Sequence, residues 1–369
     1  MRLLLLNQYG PGSGAPTGRI LGELAEGLQQ LGHVVTLLDV DSAYGKSRRG
    51  LQRILHEINA HVLLTSRSVG LRQIDAVLTL TSPACLVVTG ALISRLLGAK
   101  HFHWAMDLYP EAGIRLGELR EGALTRFLTG RMRHAYRNAE RVVVLDEDMR
   151  EHLRREYGVE SAILEPFPPE VTWIEPERAP GEPKRWLYSG NLGRAHEIDV
   201  LLQVQKRLEA GDAGAELVLQ GRGAQFGASR DAARDLGLRQ VRWQPPAPDE
   251  TLGQSLLGAD VLVVTRKPAM KGLLLPSKLM LAELSGRPIL WIGDTDGFTA
   301  TRLKKAGHGV FASDEIEPIA AWLRRTLDPN AESPGPPRAS GLMRGEVVAV
   351  PRDQFRSLRP EERVTCAAR

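Results

Sequence analysis

Short apolar runs alternate with segments of helical period along most of this chain of 369 residues, and the alternation breaks once before it restarts. Leu3 to Leu6, Val34 to Leu38, His61 to Thr65, Ala76 to Leu80, Lys100 to Ala105 and Arg141 to Leu145 are each too short for a core helix. They lack the polar-apolar alternation of a half-exposed strand, so they read as parallel strands buried on both faces. Between them a helix from about Thr17 to Leu31, and Leu124, Phe127, Leu128, Met132, Ala135 and Tyr136 at helical spacing, supply the crossovers. The expectation is an open, doubly wound α/β domain.

The break runs from Glu165 to Lys184, where prolines stand at 166, 168, 169, 176, 180 and 183, as in a semi-rigid linker. Strands at Arg185–Ser189, Glu216–Gln220, Val241–Gln244, Val261–Val264 and Pro288–Ile292 then alternate with helices near 198–209, 278–285 and 316–327. The predicted organisation is an N-terminal Rossmann-like domain over 1–168, a linker over 169–184, a second α/β domain over 185–328, and a partly disordered tail over 329–369. Two such domains joined by a hinge predict a site in the cleft between them.

Composition removes several function classes. The net charge of +4 favours an anionic ligand or anionic membrane surface, but aromatics at 5% and the lack of a basic run interleaved with Phe or Tyr argue against nucleic acid. Two cysteines, Cys85 and Cys366, make neither a disulfide framework nor a four-ligand zinc site, and a reducing cytoplasm is the expected location. Asn7, Gln8 and Gly10 interrupt the opening leucines too soon for a signal peptide, and the run Pro83 to Ile93 is too short to span a bilayer.

The glycines are placed where anions bind. Gly10, Gly12, Gly14 and Gly18 separate the first strand from the first helix, where glycine lets backbone approach a ligand at a helix N-terminus. With Asp39 they approximate a dinucleotide fingerprint, but Thr17 occupies the third glycine position and Pro16 intervenes; a plain βα turn fits equally well. In the second half, Gly190-Asn191-Leu192-Gly193 follows a strand, and Arg194 is placed to meet a phosphate. Pro276 holds Leu275 extended, so a helix is expected to start at Ser277 as N-cap, with Lys278 in its first turn. A cation there is unfavourable unless an anion joins it. The Asp294-Thr295-Asp296 pattern mimics a metal-binding aspartate pair, yet two aspartates do not complete an oxygen shell, and a loop is the expected reading.

The order YSGNLG (188–193), VLQGRG (218–223), LLGADVLVV (256–264), PSKLMLAELSGRPIL (276–290) resembles the donor domain of the retaining GT-B glycosyltransferases of family 4 type. The bacterial capsule, O-antigen and exopolysaccharide enzymes are the most similar branch. GHVVTLLDV (32–40), LTLTSPACLVV (78–88) and HWAMDLYPE (103–111) resemble that family's acceptor domain. The resemblance implies two Rossmann-like domains facing a cleft, a nucleoside-diphosphate sugar donor with a UDP-sugar first among candidates, and hexosyl transfer without a metal or other cofactor. The implied acceptor is a glycan or a lipid-linked glycan. It further implies that Gly12, Gly14, Gly190, Asn191, Arg194, Gly221, Gly223, Ser277 and Lys278 surround the donor, and that Asp107 and Glu111 handle the acceptor hydroxyl. Either carboxylate fits a structural cap or ion pair equally well, and His103 reads as a satisfied core histidine.

One departure stands out. Where the family carries two glutamates, the second holding the ribose, this chain has Leu273 and Leu281, and Glu283 lies about 200° round the helix from Leu281. Arg266, Lys267, Lys271 and Lys278 are candidates to compensate through charge on the diphosphate. A catalytically silent GT-B binding protein and a nucleotide-sugar epimerase are the alternatives. Arg120, Arg126, Arg131, Arg133, Arg137 and Arg141 accompany the amphipathic segment, which suits either peripheral contact with anionic lipid or a core helix with a solvated face.

Overall fold

The computed structural model describes residues 1–41, 51–179, 181–211, 214–223 and 225–328; the tail expected over 329–369 lies outside the described residues. The chain divides into two compact units. Over the described residues, unit 1 comprises Met1–Phe167 with Gly272–Leu275, and unit 2 comprises Pro168–Lys271 and the chain from Pro276 on.

Unit 1 runs β1 (Arg2–Leu6), α1 (Pro16–Gln30), β2 (Val34–Leu38), α2 (Leu51–Ser68), β3 (Ala76–Thr79), α3 (Leu86–Leu97), β4 (Lys100–Trp104), α4 (Glu111–Arg115), α5 (Ala123–Arg137), β5 (Arg141–Val144), α6 (Glu147–Tyr157) and β6 (Ser161–Ile163). The strands pair in the order β2-β1-β3-β4-β5-β6, all parallel. The chain steps one way from β1 to β2 and the other way afterwards. Right-handed crossovers therefore put α1 on one face of the sheet and α2, α3, α5 and α6 on the other. Leu4, Leu6, Leu64, Val77 and Ile93 form a core between sheet and helices.

The apolar run His61 to Thr65, expected as a strand, lies inside α2. No Gly or Pro interrupts Leu51–Ser68, so its apolar residues continue a helical repeat that an isolated five-residue window conceals. His61 then fastens this helix to the next βα loop, with Nδ1 at 2.7 Å from Thr89 Oγ1 and Nε2 at 3.0 Å from the Ala84 carbonyl.

Leu164–Ala179 carries neither helix nor strand, as its prolines require. Unit 2 follows with β7 (Lys184–Asn191), α7 (Asp199–Ala210), β8 (Ala215–Arg222), α8 (Phe226–Asp235), β9 (Val241–Gln244), α9 (Asp249–Leu257), β10 (Val261–Thr265), α10 (Lys278–Leu284), β11 (Ile289–Ile292), α11 (Phe298–Lys305), β12 (Gly309–Phe311) and α12 (Ile316–Leu327). Its parallel sheet has the order β12-β11-β10-β7-β8-β9. Every residue of β10 and β11 is buried, the mark of strands covered on both faces. Trp186, Leu217, Leu290, Ile292 and Leu323 are among the buried residues of its core.

Candidate functional site

In unit 2 the site grows from the carboxyl ends of β7 and β8, where open parallel sheets bind ligands. The sequence suggested two glycine turns after two strands; instead the strands run on into them, β7 to Asn191 and β8 to Arg222. Gly190 pairs in register with Gly221, and Asn191 with Arg222. A Cβ on Gly221 would stand 1.9 Å from the Gly190 carbonyl oxygen, and one on Gly223 would stand 2.2 Å from Asn191 Oδ1. Their φ angles of 153° and 138° also lie where side chains are strained. Gly221 and Gly223 are thus explained by backbone crowding within the protein, not by closeness to a ligand.

Gly190 has a different neighbour. At φ 143° its missing side chain leaves room for Lys278, whose Cε would lie 3.0 Å from a Cβ there. Lys278 opens α10 and brings its ammonium over the Tyr188 ring, 4.8 Å from the centroid. It also donates to His196 Nε2 at 3.1 Å. The tautomer of His196 is fixed, because its Nδ1 lies 2.6 Å from the Thr265 carbonyl, which only accepts. Nδ1 is therefore the protonated nitrogen, and Nε2 offers its lone pair to the lysine.

Burial pulls Lys278 down from 10.5 to about 7. Burial, then the nearby Lys278 charge, pulls His196 down to about 3. Lys278 thus has a ring face and a neutral imidazole beside it, and no ion pair among the described residues. An ammonium held this way gains most from an incoming anion. His196, not singled out from the sequence, is the residue that aims it.

Gln225 Nε2 donates to the Gly193 carbonyl at 2.5 Å and to the His196 carbonyl at 3.3 Å, pinning the loop that carries exposed Asn191 and Arg194. Ser277 does not cap α10 as expected: its backbone is already helical, and its exposed hydroxyl accepts from no helix N–H. Leu281 is buried, and Glu283 pairs with Arg302 of α11 at 3.2 Å, away from the cradle. Asp294 is engaged by the fully buried Arg266 at 2.7 Å and Asp296 by Lys271 at 3.0 Å, so both carboxylates of that pattern answer to protein cations.

Unit 1 holds the remaining predicted residues. In the first loop, Gly12 sits in a single 3-10 turn, Pro11–Ser13, and Gly14 takes a left-handed φ of 75°; a Cβ on either would meet nothing within 4 Å. The crowded glycines are Gly18, where a Cβ would stand 2.2 Å from the Gly10 backbone carbonyl, and Gly10 itself, where one would stand 2.5 Å from the Asp39 side-chain carboxylate. Gly12 and Gly14 therefore leave open space at the start of α1, whose first turn has no side-chain cap.

On the acidic side, burial raises Asp107 to about 6. Leu274 pairs with Asp107 through a backbone bridge, and the Leu273 carbonyl accepts from Leu108 N at 2.8 Å, so buried Leu273 serves packing here. Glu111 opens α4 and accepts from the Tyr157 hydroxyl; burial raises it, and its Oε2 is buried without a hydrogen-bond partner among the described residues. Tyr157 packs edge-on against Tyr136, which fits Glu111 better to holding that cluster than to meeting an acceptor. His103 is the satisfied core residue expected, buried, with Nδ1 2.8 Å from Thr79 Oγ1.

This architecture occurs in known glycosyl-transferring enzymes. The lipopolysaccharide glycosyltransferase WaaG superposes with a TM-score of 0.60 over 89% of this chain and 90% of its own, at 17% identity. Sucrose-phosphate synthase of Thermosynechococcus elongatus gives 0.65 at 13% identity, over 88% and 89%. Anabaena Alr3699/HepE, solved in complex with UDP, gives 0.60 at 12%, over 89% and 92%.

The fold is GT-B.

No protein-family model matches this GT-B chain. In sequence it is homologous to the probable glycosyltransferase WbjE of Pseudomonas aeruginosa, 26% identical over 293 residues that cover 76% of this chain and 71% of the relative.

Proposed function

We propose that this GT-B chain is a glycosyltransferase that moves a hexose from a nucleoside-diphosphate sugar, a UDP-sugar first, to a glycan or lipid-linked acceptor in cell-surface polysaccharide synthesis. The observation that carries the reading is Lys278, an ammonium with only neutral partners, set against the Cβ-less Gly190. The departing diphosphate supplies the anion this arrangement lacks, and charge that grows on it in the transition state strengthens the contact. Arg194 and the loop amides near Gly190 add donors, with Ser277 as a hydroxyl donor at the start of α10.

Asp107 is the group proposed to receive or orient the acceptor hydroxyl. A carboxylate raised to about 6 remains ionised at neutral pH while being more basic than an ordinary aspartate. Because protein cations take the charge-stabilising role, the reading assigns no metal or other cofactor. Retention of anomeric configuration rests on resemblance to family 4, and a cytoplasmic setting on the two cysteines and the early break in the opening leucines. The absence of both family glutamates, at Leu273 and Leu281, leaves the ribose to contacts other than a carboxylate on α10.

Calorimetric titration of the full chain with UDP, GDP and dTDP tests the donor site. At least one should bind at micromolar to millimolar strength, and Lys278→Met should weaken it by about 10- to 150-fold. If none of the three binds, the reading is wrong.

A further inference from the structure

A closed triangle of side chains begins one residue beyond Thr265, wholly within unit 2. Arg266 follows β10 and Asp294 lies just past β11, at the carboxyl ends of neighbouring strands. Arg266 Nε and Nη2 donate to Asp294 Oδ1 at 3.0 and 2.7 Å. The guanidinium lies 5.0 Å from the centroid of the Trp291 ring, and Trp291 Nε1 donates to the Asp294 carbonyl at 2.8 Å. All three residues are buried. A buried ion pair is a poor source of stability, because desolvation offsets its attraction. This one is poorer than most, since both N–H groups converge on Oδ1 while Oδ2 is buried with no hydrogen-bond partner among the described residues. What the pair does fix is direction.

The triangle bears on Lys278 through one peptide plane. The Thr265 carbonyl accepts from His196 Nδ1 at 2.6 Å, while the N–H of the same peptide unit, on Arg266, donates to the Ile292 carbonyl at 3.0 Å. A peptide unit is planar, so these two contacts turn together. Gly293 has no Cβ, and one would stand 2.5 Å from the Arg266 carbonyl oxygen, so the ends of β10 and β11 come close. On the other side, Lys267 N donates to the Ala195 carbonyl at 2.8 Å and Glu197 N to Thr265 Oγ1 at 3.2 Å. Residues 195–197 are thereby fastened to residues 265–267. His196 takes its direction from the end of β10, and Lys278 takes its neutral partner from His196.

We infer that Arg266 and Asp294 are positioning residues for the donor cation. By clamping the end of β10 to β11 they hold the Thr265 carbonyl where it fixes the tautomer and tilt of His196, and His196 aims Lys278 at the departing diphosphate. Arg266, fully buried and engaged by Asp294, acts through this chain of contacts and not by charge on the diphosphate itself. The same clamp accounts for the Asp294-Thr295-Asp296 pattern, whose first carboxylate serves geometry and not a metal. The inference rests on the proposed function for the diphosphate, while the geometry at His196 belongs to the nucleotide-free protein.

Nitrogen NMR of the full chain carrying isotope-labelled histidine reads the device without any nucleotide. The His196 signals, located by their loss in His196→Gln, should show the Nδ1–H tautomer alone in the wild type. Replacing the pair by Arg266→Met together with Asp294→Leu removes the clamp and leaves no buried charge behind, so the melting temperature should change little. His196 should nevertheless become a mixture of both tautomers, a change that loss of packing alone would not produce. Titration with whichever of UDP, GDP and dTDP the wild type binds should weaken by about tenfold or more. A folded double variant that keeps the single Nδ1–H tautomer, or binds nucleotide as the wild type does, would overturn the inference. Should the double variant not fold, Arg266→Lys, which keeps the ion pair but gives up one of the two N–H contacts, is read the same way. A wild type that shows the expected tautomer yet binds none of the three nucleotides would overturn the transferase reading, not the clamp on His196.

Discussion

Replacing Lys278 by Met should make the nucleotide-free protein more stable and its donor site worse. Burial moves this lysine from 10.5 to about 7, and each unit of displacement is worth about 1.4 kcal/mol, so keeping it charged costs up to about 5 kcal/mol. Solvent reaches part of the side chain, and about 2 kcal/mol is the working figure. The sign follows from proton counts. Between pH 7 and 10.5 the unfolded chain holds the proton and the native lysine does not, so wild-type stability rises with pH across that window. Well below pH 7 both states are protonated and the whole cost remains. Lys278→Met, neutral throughout, should therefore raise Tm at pH 6.5 by about 4–8 °C, with the gain shrinking toward pH 10.5. Scanning calorimetry at both pH values reads the stability, and UDP titration reads the loss of a charge-assisted hydrogen bond worth about 1.5–3 kcal/mol. A variant that melts below wild type at pH 6.5, yet binds UDP as tightly, would refute the argument that Lys278 is a strained cation awaiting an anion.

The unit 1 core should be acid-labile. Burial pulls His101 down to about 4 and His103 well below 6.5, so both stay neutral in the native state while the unfolded state protonates below pH 6.5. His101 alone should cost about 3 kcal/mol of stability between pH 6.5 and 4, and His101→Gln should flatten that part of a denaturant-midpoint profile. Gly221→Ala should destabilise by more than about 3 kcal/mol, since its Cβ would meet the Gly190 carbonyl at φ 153°, whereas Gly12→Ala should fold normally; thermal melts distinguish them. Asp107→Asn should lower transfer by about 10²- to 10⁴-fold with UDP affinity unchanged, and wild-type transfer should rise from pH 5 to 7 with a midpoint near 6; equal activity at pH 5 and 7 would remove Asp107 from the reaction.

The strands of both sheets were largely legible because buried parallel strands leave uninterrupted apolar runs, and Val261–Thr265 and Ile289–Ile292 left clear ones. The same cue misled at His61–Thr65, where a helix without Gly or Pro carries a dense apolar patch. Glycine-rich loops marked the ends of strands β1, β7 and β8 but not which glycine the packing demands. Gly10 and Gly18 answer to crowding in the first loop, by the Asp39 side chain and the Gly10 backbone, and Gly221 and Gly223 to crowding in unit 2, a distinction that depends on neighbours 8 to 32 residues away. Lys278 was found through the proline before its helix. His196 escaped notice because its partners, Thr265 and Lys278, are 69 and 82 residues along the chain, and only the sheet brings them together. Glu283 could be set aside in advance, since helical geometry alone turns it from the Leu281 position toward Arg302.

The central claim is that this protein cleaves a nucleoside-diphosphate sugar at a site built on Lys278. Incubating wild type and Lys278→Met with radiolabelled UDP-, GDP- and dTDP-hexoses, and following released sugar and nucleoside diphosphate, tests it directly. The account predicts slow, acceptor-independent release of sugar from one of these donors by wild type, reduced at least tenfold in the variant. A new sugar isomer still attached to its nucleotide would mark an epimerase, and no turnover of any donor would mark a silent binding protein; either result contradicts the account.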